Sequence, residues 1–307
     1  MANLSAIIKA LRPSHWVKNL SLFAALLFSQ NLFEPVLFNR VVWAFIAFCL
    51  AASATYVFND ILDVKRDRLH PIKKDRPLAS GKLSVPFAIV MVVILTITAL
   101  VVARYLSYFF YVLLLSYLIL QVAYSTFLKK LPVIDIIVIA TGFVIRIYAG
   151  AFVIDAHLSV WFLLCVISVA LFLASGKRRA ELGALGAESG TRQSLSKYPG
   201  ELLNSYGTMF GNAAWMSWAL FTFFESPRIS TGLWILLAEL SRATAINKLL
   251  MITIPFTIFG IMRYESLIFE NRSEAPEKLL LTDIPLVTSV LLWVGLVVWI
   301  LYGGISI

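Results

Sequence analysis

Charged side chains are scarce in this chain. Asp, Glu, Lys and Arg make up 14 % of its 307 residues, against about 25 % in an average soluble domain. Hydrophobic residues make up 60 % of the sequence, and the mean hydropathy is +0.86. A soluble globular domain is therefore excluded, and the composition is typical of an integral membrane protein.

Cysteine and histidine are nearly absent, with two and three residues respectively. Cys49 and Cys165 lie inside apolar runs, where cysteine behaves as a small hydrophobic residue. His15, His70 and His157 are far apart in the sequence. The chain therefore lacks the cysteines of a disulfide framework and the clustered ligands of a zinc site.

Long apolar runs recur along the chain, and a membrane-spanning helix needs about 20 mostly apolar residues. The pattern predicts an all-α integral membrane protein with nine transmembrane helices in a single domain, residues 1-307. The predicted spans lie at about 17–33, 41–58, 85–103, 106–124, 132–152, 158–175, 204–224, 245–264 and 284–303. The segment 228–244 is apolar enough to lie in the membrane interface, where it would change this count.

Basic residues outnumber acidic ones by 26 to 17, which gives a net charge of +9. With nine spans and a cytoplasmic N-terminus, twenty Lys and Arg fall in inside segments, five fall outside and Arg146 lies within a span. This is the positive-inside asymmetry of membrane proteins, so the charge indicates topology and not nucleic-acid binding. We predict a multi-pass protein of the cell (inner) membrane with the polar loops 59–84 and 176–203 cytoplasmic and the C-terminus outside.

The segment 59–67, NDILDVKRD, follows the second apolar run directly. On a helix, Asp60, Asp63 and Asp67 lie on one face, where acids repel each other. Mg²⁺ removes such repulsion by binding carboxylate oxygens, and it fills its other sites with water and substrate phosphates. We predict that these three acids are catalytic and that they bind Mg²⁺ together with Asn59. The alternative is a solvated acidic helix end.

Basic candidates for phosphate binding follow in both polar loops. In the first loop we select Lys73 and Arg76, because Pro77 fixes the backbone after Arg76 and arginine binds phosphate bidentately. In the second loop Lys177, Arg178 and Arg179 are consecutive, so at most two of them face the same way on a helix. Glu181, four residues after Lys177, is a further candidate and the expected i+4 partner of that lysine. For all these cations the alternative is a role in topology alone.

Six further candidate substrate ligands lie at span ends or within a span: Lys18, Asn19, Tyr124, Lys129, Asp135 and Arg146. A charge within a span costs about 2.5–3.5 kcal/mol on insertion scales and marks a functional candidate. Asp135 is near the cytoplasmic end of its span, where its side chain can snorkel. Arg146 is deeper, so we expect it to need an anionic partner, either in the protein or on a lipid phosphate.

The NDxxDxxxD motif, the Arg-Pro-Leu-x-x-Gly sequence at 76–81 and the nine apolar spans resemble the UbiA superfamily of intramembrane prenyltransferases. The resemblance covers essentially the whole chain. It implies helices around a central cavity that is capped by cytoplasmic loops and open laterally to lipid. It also implies Mg²⁺-dependent cleavage of a diphosphate from its carbon atom.

The loop after the sixth span departs from most members of that superfamily, which carry a second acidic motif there. Here residues 176–182 read GKRRAEL. With the RPxxWVKN sequence at 12–19, Tyr124-Ser125, Asp135 and Arg263-Tyr264, this loop resembles the phosphoribosyltransferase branch. That resemblance implies transfer of 5-phosphoribose from phosphoribosyl diphosphate to a polyprenyl phosphate in the membrane, with release of pyrophosphate. The product would be a precursor of lipid-linked arabinose donors for cell-wall polymers.

The number of phosphate groups agrees with this departure. Phosphoribosyl diphosphate and polyprenyl phosphate together bring three anionic groups, of which one acidic motif with Mg²⁺ serves the diphosphate. The other two groups need cations, which a Lys-Arg-Arg sequence supplies. The first alternative, an aromatic polyprenyltransferase of quinone or haem biosynthesis, predicts an acidic cluster after the sixth span. The second, a transporter or lipid-binding protein, leaves NDxxDxxxD unexplained.

Overall fold

The structure is a computed structural model that describes residues 4–69, 73–185, 198–225, 244–269 and 282–303. Within these ranges the chain is helical and contains no strand. The α-helices are α1 (Leu4–Leu11), α2 (Phe23–Phe28), α3 (Pro35–Asp67), α4 (Val85–Leu106), α5 (Tyr108–Thr126), α6 (Ile134–Ile154), α7 (Val160–Leu185), α8 (Gly200–Phe224), α9 (Ile254–Phe269) and α10 (Ile284–Tyr302). Short 3-10 helices cover Pro13–Leu22, Lys73–Asp75, Leu128–Lys130 and Thr244–Thr253.

Seven helical segments in the described ranges are long and apolar enough to cross a membrane. They are α3, α4, α5, α6, α7, Lys248–Phe269 and α10. The all-α membrane class is thus confirmed, whereas the count of nine is not reached. The segment 228–244 lies outside the described residues.

Two of the nine predicted spans are not among these seven segments, and the reasons differ. The first predicted span, 17–33, is not one helix, because the 3-10 helix Pro13–Leu22 is followed by only six residues of α2. The seventh, 204–224, corresponds to α8, which has 25 residues and is long enough to span a bilayer. Polar residues such as Asn204, Thr208 and Asn212 interrupt its apolar sequence, and α8 is not among the seven apolar segments.

The chain divides into two compact units. Unit 1 comprises Met1–Leu26, Phe33–Val138 and Ile145–Ala156, and unit 2 comprises Leu27–Leu32, Ile139–Val144 and His157–Ile307. The expectation of one domain over 1-307 stays a prediction.

In unit 1 the longest helix, α3, has 33 residues and is therefore about 50 Å long. This exceeds the roughly 30 Å of a bilayer hydrocarbon core, so the helix continues unbroken from its apolar part into the acidic motif. Around this end, α1, α4 and the loop before α4 pack on α3 through small and aliphatic side chains. The buried members of this cluster are Ala6, Ala10, Val57, Leu78, Leu83 and Ala88.

The loop between α3 and α4 is an ordered turn over residues 76–83. The backbone N–H of Leu83 donates to the Pro77 carbonyl at 3.0 Å, and that of Ser80 donates to the Arg76 carbonyl at 2.9 Å. Gly81 adopts a φ of +77°, which glycine tolerates without steric cost. These bonds hold Arg76 beside the acidic end of α3.

The N-terminal 3-10 helix, Pro13–Leu22, is fixed to unit 1 at both ends. Near its start, Trp16 Nε1 donates to Ser53 Oγ on α3 at 3.0 Å. At its end, Leu22 lies so close to α6 that a Cβ atom on Gly150 would collide with the Leu22 carbonyl oxygen. Glycine at position 150 therefore permits this close backbone approach.

In unit 2, α7 packs on α8, and α9 packs on α7, α8 and α10. The buried core shared by these helices is formed by Phe172, Ala180, Tyr264, Leu267, Ile268 and Leu286. The sequence GKRRAEL lies within α7 rather than in a loop, because α7 continues to Leu185. Its charged side chains are thus carried on a helix that is packed on the core of this unit.

Candidate functional site

Asp60 is the most buried acid of the NDxxDxxxD motif, with 2 % of its side chain exposed. Its Oδ1 atom accepts hydrogen bonds from Arg12 Nη2 at 2.5 Å and from Arg76 Nη1 at 3.1 Å. Its Oδ2 atom is buried and has no hydrogen-bond partner among the described residues. One oxygen is thus shared by two cations while the other retains its accepting capacity.

Asp67, two helical turns further along α3, shares a partner with Asp60. Its Oδ2 atom accepts from Arg76 Nη1 at 2.6 Å. The same arginine nitrogen therefore contacts both carboxylates, and it holds their negative charges in proximity.

Asp63 and Asn59 form a second pair on α3, one turn apart. Lys129, in the 3-10 helix after α5, donates from Nζ to both oxygens of Asp63 at 3.2 and 3.1 Å and to Asn59 Oδ1 at 3.4 Å. Arg66 Nη1 lies 3.8 Å from Asp63 Oδ1, with 61 % of the arginine side chain exposed. The motif is therefore arranged as two pairs, Asp60 with Asp67 and Asn59 with Asp63.

Carboxylates and cations alternate in this cluster, which comprises Asp60, Asp63, Asp67, Arg12, Arg76 and Lys129. In the ranges given above, no three Asp, Glu, His or Cys side chains come together as a ready metal site. The acids do not form such a group because cations separate them. Arg76 lies between Asp60 and Asp67, and Lys129 lies between Asn59 and Asp63. The donor set nevertheless suits Mg²⁺, which prefers carboxylate oxygens, and the buried Asp60 Oδ2 has an unused acceptor.

Arg12 belongs to this cluster although the sequence interpretation did not select it. It adopts a left-handed φ of +52° between α1 and Pro13, a conformation that costs a non-glycine residue free energy and is often found at functional sites. Its guanidinium also lies over the Tyr56 ring at 5.2 Å. The sequence did contain a signal that could have identified Arg12, because this residue precedes a proline just as the selected Arg76 does.

Arg146 is buried in unit 1, with 5 % of the residue exposed. Its Nε atom donates to Asn19 Oδ1 at 2.8 Å and its Nη2 atom to the Tyr117 hydroxyl at 3.0 Å. The guanidinium also lies 4.8 Å from the centre of the Tyr117 ring, an attractive cation–π arrangement. Two of the sequence-predicted residues, Asn19 and Arg146, are thus joined to each other, and Asn19 connects the arginine to the N-terminal 3-10 helix.

The remaining candidates of unit 1 differ in burial. Lys18, Lys73 and Tyr124 are half-buried. Asp135 is completely buried in the first turn of α6, so the expectation that it snorkels is wrong. Helix N-termini favour acidic groups, which gives a physical reason for a carboxylate at that place.

In unit 2 the charged segment of α7 has partners within the unit. Arg178, 1 % exposed, donates from Nη1 to Glu181 Oε2 at 2.5 Å. Arg179 donates from Nε to Asn204 Oδ1 at 2.7 Å and lies over the Phe269 ring. Glu181 therefore pairs with Arg178 at i+3 instead of Lys177 at i+4, because the buried arginine needs a counter-charge.

Lys177 differs from its two neighbours. It is half-buried, and no ion pair or hydrogen bond of its side chain is found within the part of the chain that the structure describes. Of the three consecutive cations, it is the one that remains available for an anion.

The sequence has full-length relatives. It is 35 % identical over 300 residues to a protein of Mycolicibacterium smegmatis named decaprenyl-phosphate phosphoribosyltransferase, covering 95 % of this chain and 91 % of that protein. A protein of the same name from Mycobacterium tuberculosis is 35 % identical over 303 residues, covering 96 % of this chain and 94 % of that protein.

The fold also has solved counterparts. The structure of a UbiA homolog from Archaeoglobus fulgidus bound to GPP and Mg²⁺ matches with a TM-score of 0.67 and 18 % identity, over 98 % of this chain and 100 % of the other. The UbiA prenyltransferase family model matches residues 20–176, which is 157 of the 307 residues. The chain therefore belongs to the UbiA prenyltransferase family, in the branch that includes these decaprenyl-phosphate phosphoribosyltransferases.

Proposed function

We propose that this protein transfers 5-phosphoribose from phosphoribosyl diphosphate to a long-chain polyprenyl phosphate and releases pyrophosphate. The observation that carries this proposal is the 35 % identity, over 95 % of the chain, to a protein named for decaprenyl-phosphate phosphoribosyl transfer. The product would be the precursor of lipid-linked arabinose donors for cell-wall polymers. The cluster of alternating acids and cations in unit 1 supports the proposal, because both substrates are phosphate esters.

In this reaction the bond between the anomeric carbon and the diphosphate oxygen breaks, and its electrons leave with pyrophosphate. A bond then forms between that carbon and an oxygen of the acceptor phosphate. The acceptor is already anionic, so it needs no strong general base. This agrees with the lack of a histidine–carboxylate pair among the residues grouped at the end of α3.

The cofactor in this proposal is Mg²⁺, held by Asp60, Asp63, Asp67 and Asn59. When bound, it neutralises charge that develops on the leaving diphosphate. The residues of the chain contribute orientation and further positive charge. Arg12, Arg76 and Lys129 lie within hydrogen-bond distance of these acids, so a diphosphate held there would lie next to three cations.

We extend the proposal to the other predicted phosphate ligands. Lys177 of unit 2, which has no partner within the described ranges, would bind the donor 5-phosphate or the acceptor phosphate, since a half-buried ammonium gains from an anionic partner. Lys18 and Lys73 of unit 1, which are also half-buried, would contribute further positive charge.

The proposed membrane is the cell (inner) membrane, with the N-terminus and the acidic end of α3 in the cytoplasm. The support is the asymmetry of Lys and Arg along the sequence. Cysteines introduced at the exposed residues Ser80 and Tyr105 test this topology, since both native cysteines are buried. In intact cells an impermeant thiol reagent is expected to label Tyr105→Cys and to leave Ser80→Cys unlabelled. Labelling at Ser80 alone would invert the proposed orientation.

A two-donor assay with purified protein tests the function. One reaction contains phosphoribosyl diphosphate, polyprenyl phosphate and Mg²⁺, and the other contains polyprenyl diphosphate, 4-hydroxybenzoate and Mg²⁺. We expect product and pyrophosphate only in the first reaction. Product only in the second would replace the proposal by an aromatic polyprenyltransferase of quinone or haem biosynthesis.

A further inference from the structure

Arg76 lies between two carboxylates of one helix. Its Nη1 atom is 3.1 Å from Asp60 Oδ1 and 2.6 Å from Asp67 Oδ2. The two acids are seven residues apart on α3, which places them on the same face two turns apart. One nitrogen thus lies where oxygens from two separate carboxylates converge.

A divalent cation would be bound at the same point. Mg²⁺ binds carboxylate oxygens at about 2.0–2.1 Å, so a small inward movement of both aspartates would follow if the cation replaced the guanidinium. A further oxygen is at hand, because Asp60 Oδ2 is buried and has no hydrogen-bond partner among the residues that the structure describes. The two cations cannot occupy this position together.

The acids and the arginine differ in their freedom to move. Asp60 and Asp67 are 2 % and 6 % exposed and belong to the 33-residue helix α3. Arg76 is 25 % exposed and lies in a loop just after the short helix Lys73–Asp75. An arginine side chain on a loop changes rotamer more readily than a helix moves, so Arg76 is the group that is able to leave.

We propose that Arg76 and a divalent cation compete for Asp60 and Asp67, and that binding of the cation releases Arg76 to a phosphate of the donor. The charge balance supports this order of events. Three carboxylates face three cations in the cluster, so a divalent cation alone leaves an excess of positive charge. An anionic diphosphate removes that excess, and each ligand therefore strengthens binding of the other.

The competition is tested with Mn²⁺ alone as the probe. Free Mn²⁺ is measured by electron paramagnetic resonance in equilibrium with the purified full-length protein in detergent, without substrate. Arg76→Gln removes the competing charge, and we expect it to bind Mn²⁺ roughly 10- to 150-fold more tightly than the wild type, the range that corresponds to one hydrogen bond to a charged group.

The second measurement uses labelled phosphoribosyl diphosphate at saturating Mg²⁺. Here the same Arg76→Gln variant is expected to bind roughly 10- to 150-fold more weakly, because the donor loses one cationic ligand. The opposite directions of the two changes distinguish exchange from a structural role, since a disturbed fold would weaken both affinities.

Arg66→Gln is the matched control. Arg66 is 61 % exposed and lies 3.8 Å from Asp63, on the same helix as the acids but not between two of them. Exposed pairs of this kind contribute little, so its affinities for Mn²⁺ and for the donor are expected to stay within about threefold of the wild type. Arg76→Lys serves if Arg76→Gln does not purify as a monodisperse protein, and its Mn²⁺ affinity is expected to lie above that of the wild type, because a single ammonium bridges two carboxylates less well.

The measurement with phosphoribosyl diphosphate rests on the proposed function, whereas the measurement of Mn²⁺ binding does not. An unchanged or weaker Mn²⁺ affinity in both Arg76 variants would overturn the competition and leave the proposed function intact. Tighter Mn²⁺ binding by Arg76→Gln, combined with no binding of phosphoribosyl diphosphate to the wild type, would support the competition and overturn the proposed donor.

Discussion

The acidic end of α3 in unit 1 and the basic segment of α7 in unit 2 use their charges differently. In unit 1, Asp60 accepts from two arginines, and Arg76 donates to two aspartates. In unit 2, Arg178 pairs with Glu181, its neighbour on the same helix, and Arg179 is held by Asn204 and Phe269. The first region is a network of shared partners, whereas the second consists of separate contacts within its unit that support helix packing.

The pattern of partners distinguishes charged residues that bind ligands from charged residues that stabilise the fold more clearly than the charge of a residue alone. The shared ion pairs of unit 1 can be rearranged, because Asp60 keeps a second arginine and Arg76 keeps a second aspartate when one contact is lost. Removing one member of a buried pair such as Arg178 and Glu181 is costly, because it breaks an ion pair whose charges are withdrawn from water. Substitutions in the two regions are therefore expected to affect different properties of the protein, and the following three are ordered by their expected effect on turnover.

The largest effect on turnover is expected from Asp63→Asn in unit 1. The amide cannot bind a divalent cation as a carboxylate does, and we expect turnover to fall by roughly 100- to 1,000-fold, as when a group that stabilises transition-state charge is removed. Turnover is measured with purified protein that elutes as a single species in detergent. Asp75→Asn, an exposed acid of the same unit, is the matched control, and near-normal turnover of Asp63→Asn would remove the acids from the proposed site.

An intermediate effect is expected from Lys177→Ala in unit 2. One charge-assisted contact to phosphate contributes about 1.5–3 kcal/mol. Its loss is therefore expected to lower the catalytic efficiency roughly 10- to 150-fold. The dependence on Mg²⁺ concentration is expected to stay unchanged. Lys130→Ala, an exposed lysine at the end of a short helix, is the control, and equal activity of the two variants would exclude Lys177 as a phosphate ligand.

The smallest effect on turnover is expected from Arg178→Met, although this substitution should reduce stability most. Arg178→Met breaks the ion pair with Glu181, and breaking a buried pair costs about 3–5 kcal/mol, so the apparent melting temperature in detergent should fall by roughly 10 °C. Turnover per folded molecule should remain within about threefold of the wild type. If the double variant Arg178→Met/Glu181→Gln does not regain stability, or if turnover falls as it does for Lys177→Ala, the contrast between the two regions is wrong.

Features that depend on local spacing were predictable from the sequence. The membrane class, most of the spans and the grouping of the three acids on one helix follow from runs and periods within about 20 residues. The first predicted span shows the limit of this approach. Average hydropathy does not reveal that Pro13–Leu22 is a 3-10 helix, so this predicted span lies on a segment that is not one continuous α-helix.

The partners of the acids were beyond the reach of local patterns. Arg12 is 48 residues from Asp60, and Lys129 is 66 residues from Asp63, so only the packing of α1 and α5 with α3 brings them together. Glu181 illustrates the same point at short range. Spacings of i+3 and i+4 are both compatible with pairing on a helix, and the burial of Arg178, which sequence spacing does not reveal, decided between them.

Equilibrium binding of labelled phosphoribosyl diphosphate to the purified protein tests the central claim most directly, because it reports on the cluster in unit 1 without requiring the acceptor. We predict saturable binding that depends on Mg²⁺, is lost in excess EDTA, is strongly weakened in Asp63→Asn and is retained in Asp75→Asn. Binding that persists in EDTA, or that is equally strong in both variants, would contradict the assignment of the acidic end of α3 as the donor site.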